Sequence, residues 1–245
     1  MMLIIRVFKM LARRGIFVLR GIAAWVHFWQ SYFSYKRLAS PEKQPHLKDI
    51  YPFIFDATDE TAVDPVYFYQ DAWAFEKIFK LNPAWHVDVG SHHKYVSLLS
   101  KVVPVTMVDI RPLPTHLESL KFEKGSILDL PFDDNSVPSV SSICVIEHIG
   151  LGRYGDILDP EGSEKALAEL KRIVQPAGSL FVSMPIDETD RICFNAHRVF
   201  REKTLFRLFE PFTVLESRYI YGVEFLDLAQ SGFGVGCYHL CKPEG

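Results

Sequence analysis

One stretch limits the folds open to this chain more than any other: His86-Val-Asp-Val-Gly90-Ser-His-His-Lys-Tyr95, a short apolar helix, then Val103-Pro-Val-Thr-Met-Val-Asp109-Ile-Arg-Pro. Val87 and Val89 flank an acid in a short apolar run that halts at Gly90, the pattern of a buried parallel strand ending in a tight turn. In an open α/β sheet the carboxyl end of such a strand is where ligands bind. The second apolar run ends in Asp109, about twenty residues further on, where nucleoside-binding folds place the acid that grips ribose hydroxyls. The same pair also fits two core strands ending in solvated acids, so the rest of the chain has to decide.

With 245 residues, 48% hydrophobic and 23% charged, the chain is long enough for one large α/β domain plus an appendage. A net charge of -3 argues against nucleic acid as a partner, because neutralising phosphates takes a concentrated basic surface. Cys144, Cys193, Cys237 and Cys241 include one inside an apolar strand and form no tight zinc-type pairs, which suits a reducing, cytosolic compartment. Cys237, His239 and Cys241 share one face of a strand, a pattern that core packing explains better than a metal.

Residues 1–37 form a basic amphipathic arm. Met1 to Arg20 carries five positive charges and no acid. At about 100° per residue Arg6, Lys9, Arg13 and Arg20 fall within roughly 60° of arc. Leu3, Ile4, Phe8, Leu11, Phe17, Trp25, Phe28 and Trp29 occupy the other faces, the pattern of a helix lying in the headgroup layer of an anionic membrane. Arg13, Arg14 and Arg20 interrupt every window of about twenty residues, so no membrane span is expected. Nor do the broken apolar runs resemble a signal peptide. Gly15 and Gly21 weaken the helix, and an arm packed on the domain or on a partner explains residues 1–35 equally well. Residues 38–65, rich in Pro, Lys, Asp and Thr, read as a linker. Residues 66–245 read as the α/β domain. It opens with a helix over Val66–Leu81, where Phe68, Ala72, Phe75 and Phe79 recur at helical spacing before Asn82-Pro83.

A third strand is expected over Leu120–Phe122 and Gly125–Leu128, ending at Asp129. A carboxylate there, beside a backbone N–H, could read the amino edge of an adenine, or it could be a turn acid. Val140–Ile146 is a fourth, apolar strand followed at once by Glu147-His148, a reacting pair or a structural one. Ile149–Asp156 is a glycine-rich loop suited to a lid. Asp159-Pro160 opens a helix whose buried face is Ala166, Leu167, Leu170, Ile173 and Val174, with Pro176-Ala-Gly178 ending it. A fifth strand, Ser179–Met184, leads into a polar loop with Asn195, His197 and Arg198 on the ligand side. A short helix, Lys203–Phe209, and two strands, Thr213–Tyr221 and Gly234–Cys241, complete the alternation.

Taken together, Asp88-x-Gly90, Asp109, Asp129-Leu-Pro, the strand ending in Glu147-His148, and Glu169-Leu-Lys-Arg-Ile-Val-Gln-Pro-Ala-Gly178 before a strand resemble the class I S-adenosylmethionine-dependent methyltransferases over roughly Trp73–Cys241. The chain is also similar to a group of bacterial methyltransferase-like proteins often thought to act in surface-glycan synthesis. The resemblance implies a Rossmann-like, seven-stranded, mostly parallel sheet with an antiparallel final hairpin and helices on both faces. It implies that S-adenosylmethionine is the cofactor. Asp88, Gly90 and Ser91 would hold its methionine end, Asp109 and Ile110 the ribose side, Leu128 and Asp129 the adenine, and Ile146 the wall behind the sulfonium. The family loop carries a second glycine two residues after the first; here that position is His92, followed by His93, and a left-handed backbone would be needed there. His92-His93 as a metal pair is disfavoured, since neighbouring side chains diverge and no further ligand is spaced to join them.

For a hydroxyl acceptor, His148 is the expected general base, with Glu147 orienting it or gripping the acceptor and His197 as the rival base. Arg153, Tyr154, Asn195 and Arg198 are the candidates for holding a polar or anionic small molecule or glycan at the cytoplasmic membrane face. Two other readings are open: a nicotinamide-dependent oxidoreductase, which wants G-x-G-x-x-G where this chain offers only Gly90, and a catalytically silent methyltransferase-like scaffold.

Overall fold

The structure is a computed structural model that describes residues 2–244, with side chains from Leu19 onward. It divides into two compact units, residues 1–62 and 63–245. In the first, α1 (Met2–Leu38) is one continuous helix. The side chains of Arg6, Lys9 and Arg13, three of the four residues of the basic stripe, lie outside those described. Further along, Ile22, Trp25, Val26, Trp29 and Phe33 share one side of the helix around a shallow groove. The Trp25, Phe28, Trp29 and Tyr32 rings meet edge to face at 5.3–5.6 Å. After the helix the chain doubles back, and the Gln44 side chain donates to the otherwise orphaned carbonyls of Lys36 (2.7 Å) and Ala39 (3.0 Å). Among the described residues no helix is long and apolar enough to cross a membrane.

The second unit begins at α2 (Pro65–Leu81), where Asp64 accepts from the Val66 and Tyr67 amides and Asn82 closes the far end in a left-handed conformation. There follow β1 (His86–Val89), α3 (His93–Leu99), β2 (Val105–Asp109), β3 (Leu120–Lys124), β4 (Val137–Ile143), α4 (Gly162–Ile173) and β5 (Val174–Ile186). The hairpin strands β6 (Arg191–Cys193) and β7 (His197–Val199) come next. Last are α5 (Glu202–Phe209), β8 (Thr213–Tyr221), β9 (Glu224–Leu226) and β10 (Gly234–Cys241). The sheet order is β3-β2-β1-β4-β5-β10-β8-β9. Its first five strands are parallel, and β10 runs antiparallel to both neighbours. The seven expected strands are there, mostly parallel with the antiparallel pair at the C-terminal end. The short edge strand β9 and the separate β6–β7 hairpin are additions, each strand too brief to leave a period-2 signal.

Local boundaries differ from the sequence reading where side chains compete for backbone groups. The third strand stops at Lys124, because Ser126 accepts from the Leu128 amide and the Asp129 amide bonds back to the Ser126 carbonyl, making a turn. Asp159 accepts from the Glu161 amide and from Lys165, so α4 starts only at Gly162. Pro176-Ala-Gly178 sits inside β5 as an irregularity, not between helix and strand.

Alternation along the strands splits the core in two. Val87, Val89, Val140, Leu180 and Val182 face α4 and α5 with Leu167, Leu170 and Phe209. Met107, Ile143 and Phe181 face α2 and α3 with Trp73, Ile78, Val96 and Leu99. This second side also carries a polar seam. His86 Nδ1 and Nε2 lie 2.8 Å from the Ser139 and Ser141 hydroxyls, and Ser141 donates to Asp88 at 2.6 Å. Because Ser141 spends its proton on Asp88, it accepts from Nε2–H, which leaves Nδ1 to accept from Ser139.

Burial holds His86 neutral, with its pKa pushed from 6.5 down to about 3. The unfolded chain takes up that proton near 6.5, so this residue makes the fold lose about 1.4 kcal/mol per pH unit as pH falls from 6.5 toward 3. Replacing His86 by Leu leaves the buried Ser139 hydroxyl without its partner, while Ser141 keeps Asp88, and should cost about 1–3 kcal/mol at pH 8. The gap between wild type and His86→Leu in denaturant unfolding should then narrow between pH 6.5 and 4. A gap independent of pH contradicts this assignment.

Candidate functional site

The chain runs from β1 outward through β2 to β3, then returns to lay β4 on the other side of β1. The carboxyl ends of β1 and β4 therefore diverge, and a crevice opens there. It holds a cavity of about 660 Å³, within the range of small-molecule and cofactor sites. Each parallel strand of this half supplies one wall: Gly90 and Ser91 after β1, Asp109 and Ile110 after β2, Ser126 and Leu128 after β3, Cys144, Val145 and His148 after β4. Tyr154 and Ile157 come over the top.

The turn after β1 is built around Asp88, which is fully buried. It accepts from Ser141 Oγ and, at 3.1 Å, from the Ser91 amide. Burial nevertheless pushes its pKa up to about 6. Ser91 Oγ in turn accepts from the Ile143 amide at 2.9 Å, which stitches the turn to β4. Gly90 has φ 74°, and a Cβ there would meet Val145 Cγ1 at 3.0 Å, so this position excludes other residues. Asp88 thus lies behind the wall and shapes the turn, while Gly90 and Ser91 face the cavity.

His92 has φ −65° and ψ 127°, an ordinary extended backbone, and it caps α3 by accepting from the Lys94 amide at 3.3 Å. The left-handed conformation expected for the missing glycine is therefore not required. Its ring stacks on His93 at 4.4 Å and contacts Tyr67 at 5.4 Å, and all three border the cavity. Asp109 Oδ1 accepts from the Arg111 amide at 2.8 Å, and its side chain is 12% exposed at the cavity rim. Leu128 lines the cavity, but Asp129 is exposed in the turn after β3 and does not. Ile146 is also displaced: it is buried in the α4-side core, and Val145 and Ile149 form the wall in its place.

At the end of β4, Cys144 takes φ 58°, a left-handed conformation rare for a residue with a Cβ. This turns the chain sharply into a 3-10 turn over Ile146–His148. Glu147 is fully buried and neither carboxylate oxygen has a hydrogen-bond partner. Burial raises its pKa to about 7; the neighbouring Cys144 thiol, close but outside hydrogen-bond geometry, pulls the other way. His148 Nδ1 lies 2.5 Å from the Ala196 carbonyl oxygen. Two lone pairs would repel at that distance, so Nδ1 carries the proton. The Arg153 guanidinium 3.3 Å away then shares the same carbonyl, at 3.2 Å. Nε2 is left as a lone pair, 3.7 Å from Glu147 Oε1. Burial, the largest cause, lowers the His148 pKa to about 4. Among the described residues, Cys144, Glu147 and His148 are the one group of three whose possible ligand atoms all fall within 4.8 Å of each other.

The loop over the cavity is wound around Asp156. Its carboxylate accepts from the amides of Gly150 (2.7 Å), Gly152 (3.2 Å) and Tyr154 (3.1 Å). Gly150 has no alternative: a Cβ there would sit 2.1 Å from the Asp159 carbonyl oxygen. Tyr154 presents its ring to Arg111 at 4.6 Å and to Arg153 at 5.0 Å, and meets the His148 ring edge-on at 5.7 Å.

Three residues expected at the site do other work. Arg198 is 4% exposed and spends its guanidinium on the carbonyls of Ile149, Asp159 and Pro160 and on Ser163 Oγ, so it clasps the loop to α4. Asn195 is exposed at the tip of the β6–β7 hairpin with φ 60°. His197 lies 6.5 Å from His148, ring centre to ring centre, outside the cavity lining. Tyr67, His93 and Arg111, not anticipated from sequence, take places around the cavity. Tyr67 sits on a helix whose aromatic stripe reads as core, and nothing in its spacing marks it out.

A family described as "Caenorhabditis protein of unknown function, DUF268" matches residues 133–227. The sequence matches none of the curated proteins. Among solved structures, the N-methyltransferase NodS from Bradyrhizobium japonicum is similar at TM-score 0.54 and 13% identity, over 74% of this chain and 98% of its own. The 1,6-didemethyltoxoflavin-N1-methyltransferase of Burkholderia thailandensis, solved with its substrate and S-adenosylhomocysteine, aligns at TM-score 0.51 and 16% identity over 76% and 94%. The [4+2]-cyclase SpnF aligns at TM-score 0.53 and 13% identity over 71% and 82%. Identities this low speak to architecture. The chain has the fold of the class I S-adenosylmethionine-dependent methyltransferases.

Proposed function

We propose that this chain transfers the methyl group of S-adenosylmethionine to a hydroxyl of a polar or anionic small molecule or glycan. The observation that carries the reading is the cavity at the β1/β4 crevice, which joins a glycine turn at Gly90–Ser91, a carboxylate at the tip of β2 and apolar lining from Ile110 and Leu128. That set suits an adenosine: Asp109 accepts from ribose hydroxyls, Ile110 and Leu128 sandwich the base, and the glycine turn admits the amino-acid end. The bound cofactor supplies a methyl group already activated by the positive sulfur. The protein's part is then to align the acceptor oxygen and receive its proton.

His148 suits the second task. Its Nδ1–H is fixed on the Ala196 carbonyl, so Nε2 is held as a proton acceptor beside the cavity. Tyr154, braced by Arg111 and Arg153, closes over the acceptor, and the two guanidinium groups favour one carrying phosphate or carboxylate. Arg198 and Asn195 play no part in this reading.

The fold also supports chemistry other than methyl transfer, as the cyclase shows, so the reaction has to be followed directly. Incubating the chain with methyl-labelled S-adenosylmethionine and a cell metabolite extract should move label onto a small molecule seen by mass spectrometry. His148→Ala should slow that transfer by about 10²–10⁴. Cofactor binding without any label transfer would support the silent scaffold instead.

The apolar stripe of α1, with the basic residues that precede it, supports docking on an anionic membrane surface. In liposome flotation the full chain should rise with vesicles containing anionic lipid, and a chain starting at Leu38 should stay at the bottom. Equal behaviour of the two removes the membrane role.

A further inference from the structure

We infer that Cys144, Glu147 and His148 bind a divalent transition-metal ion, zinc being the best match, at the floor of the cavity. Three independent features converge on this. Glu147 is fully buried with both carboxylate oxygens unpartnered, a situation native proteins resolve with an ion or an ordered water. His148 holds its Nδ1–H on a backbone carbonyl, the outer contact that metal-bound histidines make, and turns Nε2 toward Glu147 at 3.7 Å. Cys144 is placed beside them by a left-handed turn that a non-glycine residue adopts only under constraint.

The donor atoms fall within 4.8 Å of one another. Around a tetrahedral zinc they would be roughly 3.3–3.6 Å apart, so small side-chain rotations close the set. One sulfur, one nitrogen and one carboxylate oxygen select a d-block ion over magnesium or calcium, which prefer oxygen alone. Cys144 and His148 border the cavity and Glu147 lies behind them, so the fourth position opens toward a bound molecule, as in zinc sites that keep one coordination place for a reactant. Binding releases the thiol proton of Cys144 to solvent and occupies His148 Nε2, so His148 acts as the base of methyl transfer only in the metal-free chain.

The inference shares His148 with the methyl-transfer reading, but its test reads occupancy of the site and not turnover, so the two can fail separately. The test uses the full chain, stripped with a chelator and dialysed against zinc or cobalt chloride at neutral pH. Stoichiometric zinc by elemental analysis is expected. Cobalt should give a thiolate-to-metal charge-transfer band that vanishes in Cys144→Ser, while circular dichroism stays as in wild type. His148→Ala, a second variant on the surface of the cavity, should weaken zinc binding at least tenfold. Failure of the wild-type chain to take up either metal, or a band that survives Cys144→Ser, overturns the inference.

Discussion

Everything at the carboxyl edge of the sheet depends on how Asp88 ties the end of β1 to β4. Its carboxylate sits in the interior, accepts from Ser141 on the neighbouring strand and from the amide of Ser91 beyond its own strand, and so bends the chain at Gly90. Ser91 returns the link by accepting from the amide of Ile143. A buried carboxylate is costly unless its lone pairs are filled, and here the donors that fill them come from the two strands whose divergence makes the crevice. The seam continues inward through His86 to Ser139, so a hydrogen-bonded chain, in a position where most sheets carry valine, sets the spacing of the two walls.

The opposite wall follows a different logic. At the end of β4 the backbone turns through Cys144 at positive φ, which places Glu147 out of reach of solvent and His148 at the cavity edge. Above it the loop carrying Tyr154 is held from both ends, by Asp156 gathering three of its amides and by Arg198 gathering the carbonyls at its margins. Arg198 lies outside the cavity lining and Asp156, which borders it, spends its carboxylate on the loop's own amides, yet both decide where Tyr154 and His148 sit. The polar groups that do face it are few and fixed by the backbone, the arrangement that lets a largely apolar pocket orient a ligand.

The succession of strands along the chain and the tips of β1 and β2 were legible in the sequence because they depend on short apolar runs, two of which end in Gly90 and Asp109, signals a linear reading sees well. Other positions depended on competition between backbone partners and could not be read. Asp129 was expected to face an adenine, but Ser126 captures the Leu128 amide first and turns the chain, which sends Asp129 to solvent. Arg198 looked like an anion grip because its carbonyl partners are more than thirty residues away in sequence. His92 looked like a defect in a glycine position, yet it needs no unusual backbone, since its imidazole takes the place of a helix cap. The grouping of Cys144 with Glu147 and His148 was hidden for a simpler reason: the spacing suggests a strand running on to Ile146, whereas β4 stops at Ile143.

Binding of an adenosine-based cofactor at the tips of β1 and β2 is the claim on which the functional account stands. Isothermal titration of the full chain with S-adenosylhomocysteine, and separately with NAD, tests it most directly. Saturable heat with the first, none with the second, and at least tenfold weaker binding by Asp109→Ala are the results the account requires. An Asp109→Ala variant that binds as wild type, or a chain that takes up neither nucleoside, would contradict it.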